Sequence, residues 1–142
     1  MRRLITLAAL SLLAACGSSY ASDTGLITGS SVSTMAGTYN LATVSGASLP
    51  LVMQAANPKI ELTSEQIVVS ANGTFTVATN QRVTNTVGEV INMTQTDAGT
   101  FATSASGTTF RFNSSNGRMV AAKLSGNTLT LTAPTSTSVY VR

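Results

Sequence analysis

The sequence predicts an all-β fold, an antiparallel up-and-down β-barrel of about eight strands, with a β-sandwich as the alternative. Apolar and polar residues alternate with a period of two rather than 3.6, which indicates strands and not helices. Turn dipeptides such as Asn72-Gly73 and Gly126-Asn127 separate these runs and are typical of tight hairpins. The only candidate for a long crossover is residues 54–59, so a meander that closes into a barrel is favoured.

The individual strands follow from the alternation, taken in chain order. Phe75 and Val77 share a face in "TFTVAT", Phe110 and Phe112 in "TFRF", and Leu129 and Leu131 in "TLTLT". In the last run, "SVYVR", we assign Val139 and Val141 to the apolar face, opposite Tyr140 and Arg142. Further turns are predicted at Ser106-Gly107 and Asn116-Gly117. The predicted strands are residues 37–44, 50–55, 59–62, 66–71, 74–83, 88–96, 99–104, 108–113, 118–124, 128–132 and 138–142.

The first fifteen residues have the features of a secretory signal peptide. Arg2 and Arg3 precede an uncharged run, residues 4–15, which is shorter than the roughly 20 residues that a membrane-spanning helix needs. The run ends in Leu13-Ala14-Ala15-Cys16, which resembles the lipobox of bacterial lipoproteins. That resemblance implies cleavage between Ala15 and Cys16 and lipidation of the Cys16 thiol, the chain's only cysteine. An ordinary secretory signal is the alternative.

Residues 16–34 are predicted to be the lipidated cysteine and a flexible tether, because they are rich in Ser, Gly and Thr and lack a sustained periodicity. Residues 35–142 then form one domain. Gly17 stands where Asp is the usual inner-membrane retention signal in enterobacteria-like cells. We therefore expect the protein in the bacterial cell envelope, anchored by lipid to the outer membrane and facing the periplasm or the cell surface.

Composition argues against nucleic-acid binding, metal binding and simple catalysis. Removing residues 1–15 lowers the formal charge from +3 to +1, and the remaining basic residues are scattered singly. There is no histidine and no second cysteine, so the usual metal ligands and the usual general base are missing. Glu61 and Glu65 are interpreted as a solvated strand end and loop rather than as a catalytic acid and base. We predict no enzyme activity, no cofactor, no metal and no catalytic residue.

Several short motifs follow one another along the predicted domain. They are Gly37-Thr38-Tyr39, "VSGASLP" at 44–50, "SANGTFT" at 70–76, "GTF" at 99–101, "LSGNTLTLT" at 124–132 and "YVR" at 140–142. In their order and spacing these motifs resemble small bacterial lipocalin-like lipoproteins. The resemblance covers nearly all of residues 35–142 and implies a lipocalin-like barrel. In lipocalins a Gly-x-Trp ring meets a basic residue of the last strand, so the resemblance implies a barrel-closing pair of Tyr39 and Arg142.

An eight-stranded barrel is either filled by side chains or holds one small ligand, so the interior decides the function. The first hypothesis is a binding module for a small apolar molecule. The second is a structural or protein-interaction module with a filled barrel, and a barrel that itself spans the outer membrane is disfavoured because aromatic residues are few. The candidate ligand-lining residues are the alternating apolar set Leu41, Phe75, Val77, Phe101, Phe110, Phe112, Leu129 and Leu131.

Overall fold

The computed structural model describes residues 34–104, 107–113 and 117–142. The predicted signal peptide, its cleavage site at Ala15 and Cys16, and the tether up to residue 33 lie outside the described residues. Eight strands form a closed antiparallel barrel and two short strands are added to it, so the predicted all-β barrel is confirmed. The strands are β1 (Gly37–Val44), β2 (Ala47–Ser48), β3 (Leu51–Gln54), β4 (Lys59–Val69), β5 (Thr74–Thr84), β6 (Val90–Ser104), β7 (Gly107–Phe112), β8 (Met119–Ser125), β9 (Thr128–Ala133) and β10 (Ser136–Val141).

The barrel is a meander that its first strand closes. Strands β4 to β10 pair consecutively, each with the next along the chain. Strand β1 pairs with β10, where Leu41 lies opposite Tyr140, and with β4, where Tyr39 lies opposite Ile67. Since β1 joins both ends of the meander, every strand of the barrel has two neighbours, and the sandwich alternative is wrong.

Strands β1 and β4 separate towards one end of the barrel. They pair only between Gly37–Asn40 and Gln66–Val69. Beyond Asn40, β2 pairs with the end of β1 and β3 pairs with the start of β4. The short segment between β1 and β4 therefore occupies this seam.

Two pairs of predicted strands are single long strands. The predicted strands 59–62 and 66–71 merge into β4, which continues through a bulge between Leu62 and Ser64. The predicted strands 88–96 and 99–104 merge into β6, which is fifteen residues long. A bulge lets a strand carry an extra residue without ending, so polar runs that resemble turns can lie inside a strand.

The two ends of the barrel differ. At one end lie residues 34–36, the β4–β5 and β8–β9 turns, and the side chain of Arg142; we call it the closed end. At the other end lie the β5–β6 and β9–β10 turns; we call it the open end. The β4–β5 turn is made tight by Gly73, whose positive φ of 86° suits glycine and whose amide donates to the carbonyl of Ser70.

The prediction that Val139 and Val141 form the inner face of the last strand is wrong. Tyr140 is buried and lies opposite Leu129 and Leu41, whereas Val141 is 43% exposed. Alternation then puts Val139 and Val141 on the outer face. Arg142 follows on the same side as Tyr140, so its guanidinium reaches the closed end without a bulge in β10.

Candidate functional site

The closed half of the barrel is filled by aromatic side chains. The Phe75 ring lies 4.7 Å from that of Phe110 and 5.0 Å from that of Phe112, and Phe101 stacks on Phe110 at 5.3 Å. Phe75, Phe101 and Phe110 are fully buried, together with Ile67 and Leu129. Tilted and offset rings at these distances add to the stabilisation that burial gives. Among the described residues, this half of the interior is occupied by packed side chains.

Tyr39 and Arg142 lie together at the closed end. The Arg142 guanidinium carbon is 4.8 Å from the centre of the Tyr39 ring, and its Nη2 donates to the Tyr39 hydroxyl. The same nitrogen donates to the carbonyl of Ala36 at 2.8 Å, and Tyr39 donates to the carbonyl of Met35 at 2.9 Å. The guanidinium also lies against Gly37, where a Cβ would be only 2.8 Å from Nε and Nη2. These contacts fasten the chain before β1 to the end of the domain.

The open half contains a cavity of about 390 Å³. It lies inside the barrel, between the inner faces of the strands, and opens at the end where the β9–β10 turn lies. One part of its wall is apolar and includes Leu41, Leu62 and Phe112. The other residues that line it are Val44, Met53, Glu65, Val77, Thr79, Gln95, Thr96, Asp97, Arg118, Val120, Leu131, Ala133, Ser136, Ser138 and Tyr140.

The central polar group of this cavity is the carboxylate of Glu65. Thr79 lies opposite it on β5 and donates to one carboxylate oxygen at 2.7 Å. The Tyr140 hydroxyl donates to the other oxygen from across the interior, on β10. Alternation places Glu65 next to Ile67 on the inner face of β4, and Ile67 is fully buried. Glu65 therefore lies where the filled half ends and the cavity begins, which is the floor of the cavity.

Two further charged side chains line the cavity. The Arg118 guanidinium lies 4.7 Å from the centre of the Phe112 ring, a cation–π arrangement. Asp97, opposite Val77 on β6, accepts a hydrogen bond from the amide of Ala98 at 2.7 Å. Burial, and after it the neighbouring Glu65 carboxylate, raise the pKa of Tyr140 well above the ordinary value of 10.0. Tyr140 is therefore a permanent hydrogen-bond donor at neutral pH.

The eight predicted lining residues divide between the two halves of the barrel. Leu41, Val77, Phe112 and Leu131 line the cavity. Phe75, Phe101, Phe110 and Leu129 do not, because they form the filled core of the closed half. The polar residues of the cavity were not among the predicted site residues. Alternation was the available signal, because Glu65 shares a face with Ile67 and Val69, and Thr79 shares one with Phe75 and Val77.

Glu61 and Glu65, four residues apart on β4, face opposite sides of the sheet because of the bulge between them. Glu61 lies on the outer face, 2.9 Å from the Lys59 ammonium and 2.8 Å from the Arg82 guanidinium. It is only 6% exposed, because these two partly exposed side chains cover it. Hydrogen bonds from Lys59, and then from Arg82, lower the pKa of Glu61 below its usual 4.5. The interpretation of both residues as a solvated strand end and loop is wrong.

The outer face of β4, β5 and β6 carries a broader depression of about 600 Å³, lined mainly by outward residues such as Val68, Thr76 and Ala78. It has no wall on its solvent side, and the interior cavity is the better-formed site.

Within residues 34–104, 107–113 and 117–142, no three His, Cys, Asp or Glu side chains are grouped so as to hold a metal ion. In the same part of the chain, no helix is long and apolar enough to cross a membrane.

The sequence matches no protein-family model and no curated protein. What bears on function is therefore the barrel and its cavity.

Proposed function

We propose that this chain is a lipid-anchored lipoprotein of the bacterial envelope, whose lipocalin-like barrel binds one small molecule in the cavity of its open half. The observation that carries the proposal is the cavity itself. Its volume of about 390 Å³ lies at the lower end of the roughly 300–1,000 Å³ that is usual for small-molecule sites. A filled barrel, which the structural hypothesis requires, has no such space.

The contrast between the filled closed half and the hollow open half supports the interpretation of the cavity as a binding site rather than as a packing defect. The closed half is filled by interlocking phenylalanine rings, whereas the open half collects polar side chains that converge on Glu65. Small-molecule sites usually combine apolar walls with a few placed polar groups. Leu41, Val77 and Leu131 supply such walls here.

The position of the cavity suits a protein anchored through its N-terminal side. Residues 34–36 lie at the closed end, where Arg142 donates to the carbonyls of Thr34 and Ala36. The chain that leads back to Cys16 therefore joins the domain at the end opposite the mouth. On this proposal the mouth faces away from the lipid anchor and takes its ligand from the aqueous side.

The binding function is tested by native mass spectrometry of the chain from Gly17 onward, exported without its anchor and purified without detergent. We expect a stoichiometric adduct that is lost on denaturation, and its mass identifies the ligand. A bare monomer mass under several growth conditions would contradict the proposal.

Lipidation is tested separately with a Cys16→Ser variant. Cells grown with an alkyne-labelled fatty acid should label the natural chain and not the variant, and only the natural chain should fractionate with outer membranes. Equal fractionation of the two chains would refute the anchor.

One observation favours an interaction module as the second candidate. Among the described residues, β6 pairs with β7 only over Gly99–Ser104, and the strand partners of Val90–Thr96 lie on β5 only, so this first part of β6 has an unpaired edge. Val90, Ile91 and Met93 on it are 44–53% exposed. A free edge with exposed apolar residues can accept a strand of another protein. Crosslinking from position 92 in cells would capture such a partner.

A further inference from the structure

The cavity has a negatively charged floor beneath partly apolar walls. Glu65 comes from β4, and the two hydroxyl groups that hold it come from Thr79 on β5 and Tyr140 on β10. Three strands thus fix the position of this carboxylate, which is a rigid support for a binding group.

The Glu65 carboxylate retains capacity for another donor. A carboxylate has about four lone-pair sites, and each oxygen of Glu65 accepts one hydrogen bond from a hydroxyl. Across residues 34–104, 107–113 and 117–142, the ion pairs join Lys59 and Arg82 to Glu61, on the outer face, and none reaches Glu65. The two hydrogen bonds that hold the Glu65 carboxylate come from neutral hydroxyl groups.

The net charge of the residues that line the cavity is negative. Two carboxylates, Glu65 and Asp97, line it against the single guanidinium of Arg118. Arg118 is exposed and packs over Phe112, whereas Glu65 is half-buried at the floor. In a partly enclosed site of low dielectric, the Glu65 carboxylate repels an anionic group of a ligand and attracts a cationic one.

We propose that the ligand is an amphipathic molecule with a cationic head, such as a protonated amine, that pairs with Glu65 while its apolar part lies against Leu41, Phe112 and Leu131. This assignment rests on the proposed binding function and adds the chemical class of the ligand. A charged donor on a carboxylate forms a shorter and stronger hydrogen bond than a neutral donor does. The head, rather than the apolar part, then provides the specificity.

The test compares three probes of equal length that differ only in the head: 4-phenylbutylamine, 4-phenylbutanol and 4-phenylbutanoate. Binding to the complete mature protein in phospholipid nanodiscs is measured by isothermal titration calorimetry, with empty nanodiscs subtracted. We expect the amine to bind at least about tenfold more tightly than the alcohol, and the carboxylate to bind most weakly. The amine should lose this advantage in the Glu65→Gln variant, which keeps the shape and the hydrogen-bond acceptor.

Glu61→Gln is the matched control, because it removes a carboxylate from the same strand on the outer face. It should leave all three affinities unchanged. Equal losses in the two variants, or a preference for the carboxylate or the alcohol, would overturn the assignment and leave small-molecule binding intact. If none of the three probes binds, the assignment fails, whereas the binding function is decided separately by the native mass spectrometry of the exported chain.

Discussion

The contact between Arg142 and Tyr39 gives a stability prediction that can be worked out from the structure. Replacing Arg142 with alanine removes the charged hydrogen bonds to the Ala36 carbonyl and the Tyr39 hydroxyl, and the guanidinium 4.8 Å above the ring. Hydrogen bonds to charged groups contribute about 1.5–3 kcal/mol when shielded, and an exposed cation–π contact about 0.5–1 kcal/mol. The lower values total about 3.5 kcal/mol, and because Arg142 is largely exposed and screened by solvent, we expect a loss of about 2–3 kcal/mol in the free energy of unfolding.

The assay is urea denaturation followed by circular dichroism, with a double-mutant cycle that includes Tyr39→Phe. That change keeps the ring under the guanidinium and removes the hydroxyl that links Arg142 to Met35, so it should cost about 1 kcal/mol. The two losses should be non-additive by about 0.5 kcal/mol or more, because both remove the same hydrogen bond. Lys123→Ala, which removes an exposed charge on β8, is the control and should change stability by less than about 0.5 kcal/mol. A loss below that value for Arg142→Ala, or strict additivity, would refute the reasoning.

Three further predictions concern single positions. Gly99→Ala should destabilise the barrel by about 1–3 kcal/mol in urea denaturation, because the new Cβ would overlap the Arg111 carbonyl oxygen and lie 2.5 Å from the Phe75 ring; unchanged stability would contradict that packing. Stability should decline above pH 10, where the unfolded chain ionises Tyr140 and the folded chain does not, and Tyr140→Phe should flatten this decline. The contribution of Glu61 should be complete above about pH 4.5 and be lost as the pH falls through its lowered folded pKa. Glu61→Gln should weaken the acid dependence of the thermal midpoint, and an unaltered dependence would show that the ion pairs do not act on stability.

The pattern of alternation was sufficient for the fold class and for most strand positions, because the side-chain period of a strand is two everywhere in a barrel. It failed where the backbone departs from that period. The polar run around Thr63 resembles a turn but is a bulge within β4. Because of the bulge, Glu61 and Glu65 lie on opposite faces of the sheet, although they are four residues apart. Asp97-Ala98-Gly99 also resembles a turn, yet β6 continues through it because Gly99 leaves room for the Phe75 ring.

The site was harder to predict than the fold because alternation gives the face of a residue and not its depth along the barrel axis. Phe75 and Val77 share a face, but Phe75 is in the filled half and Val77 lines the cavity. Depth depends on register, which turn lengths and bulges determine together. Tyr140 was assigned to the wrong face because Val139 and Val141 are the more apolar side chains. Its hydroxyl has a partner inside the barrel, Glu65, which no local pattern of β10 contains.

The closure of the barrel by β1 has a consequence for how the chain folds. Strands β4 to β10 each pair with a neighbour in sequence, so they can form by successive hairpins. Strand β1 cannot complete its pairing until the last strand exists, since Tyr39 and Arg142, which meet at the closed end, are 103 residues apart. Bringing such distant segments together costs loop-closure entropy before it gains any contact, and folds of high contact order reach the native state in milliseconds to seconds. The docking of β1 is therefore expected to be the last event. Because the Tyr39–Arg142 contact forms only after the closure entropy has been paid, substitutions at this contact should accelerate unfolding far more than they slow folding.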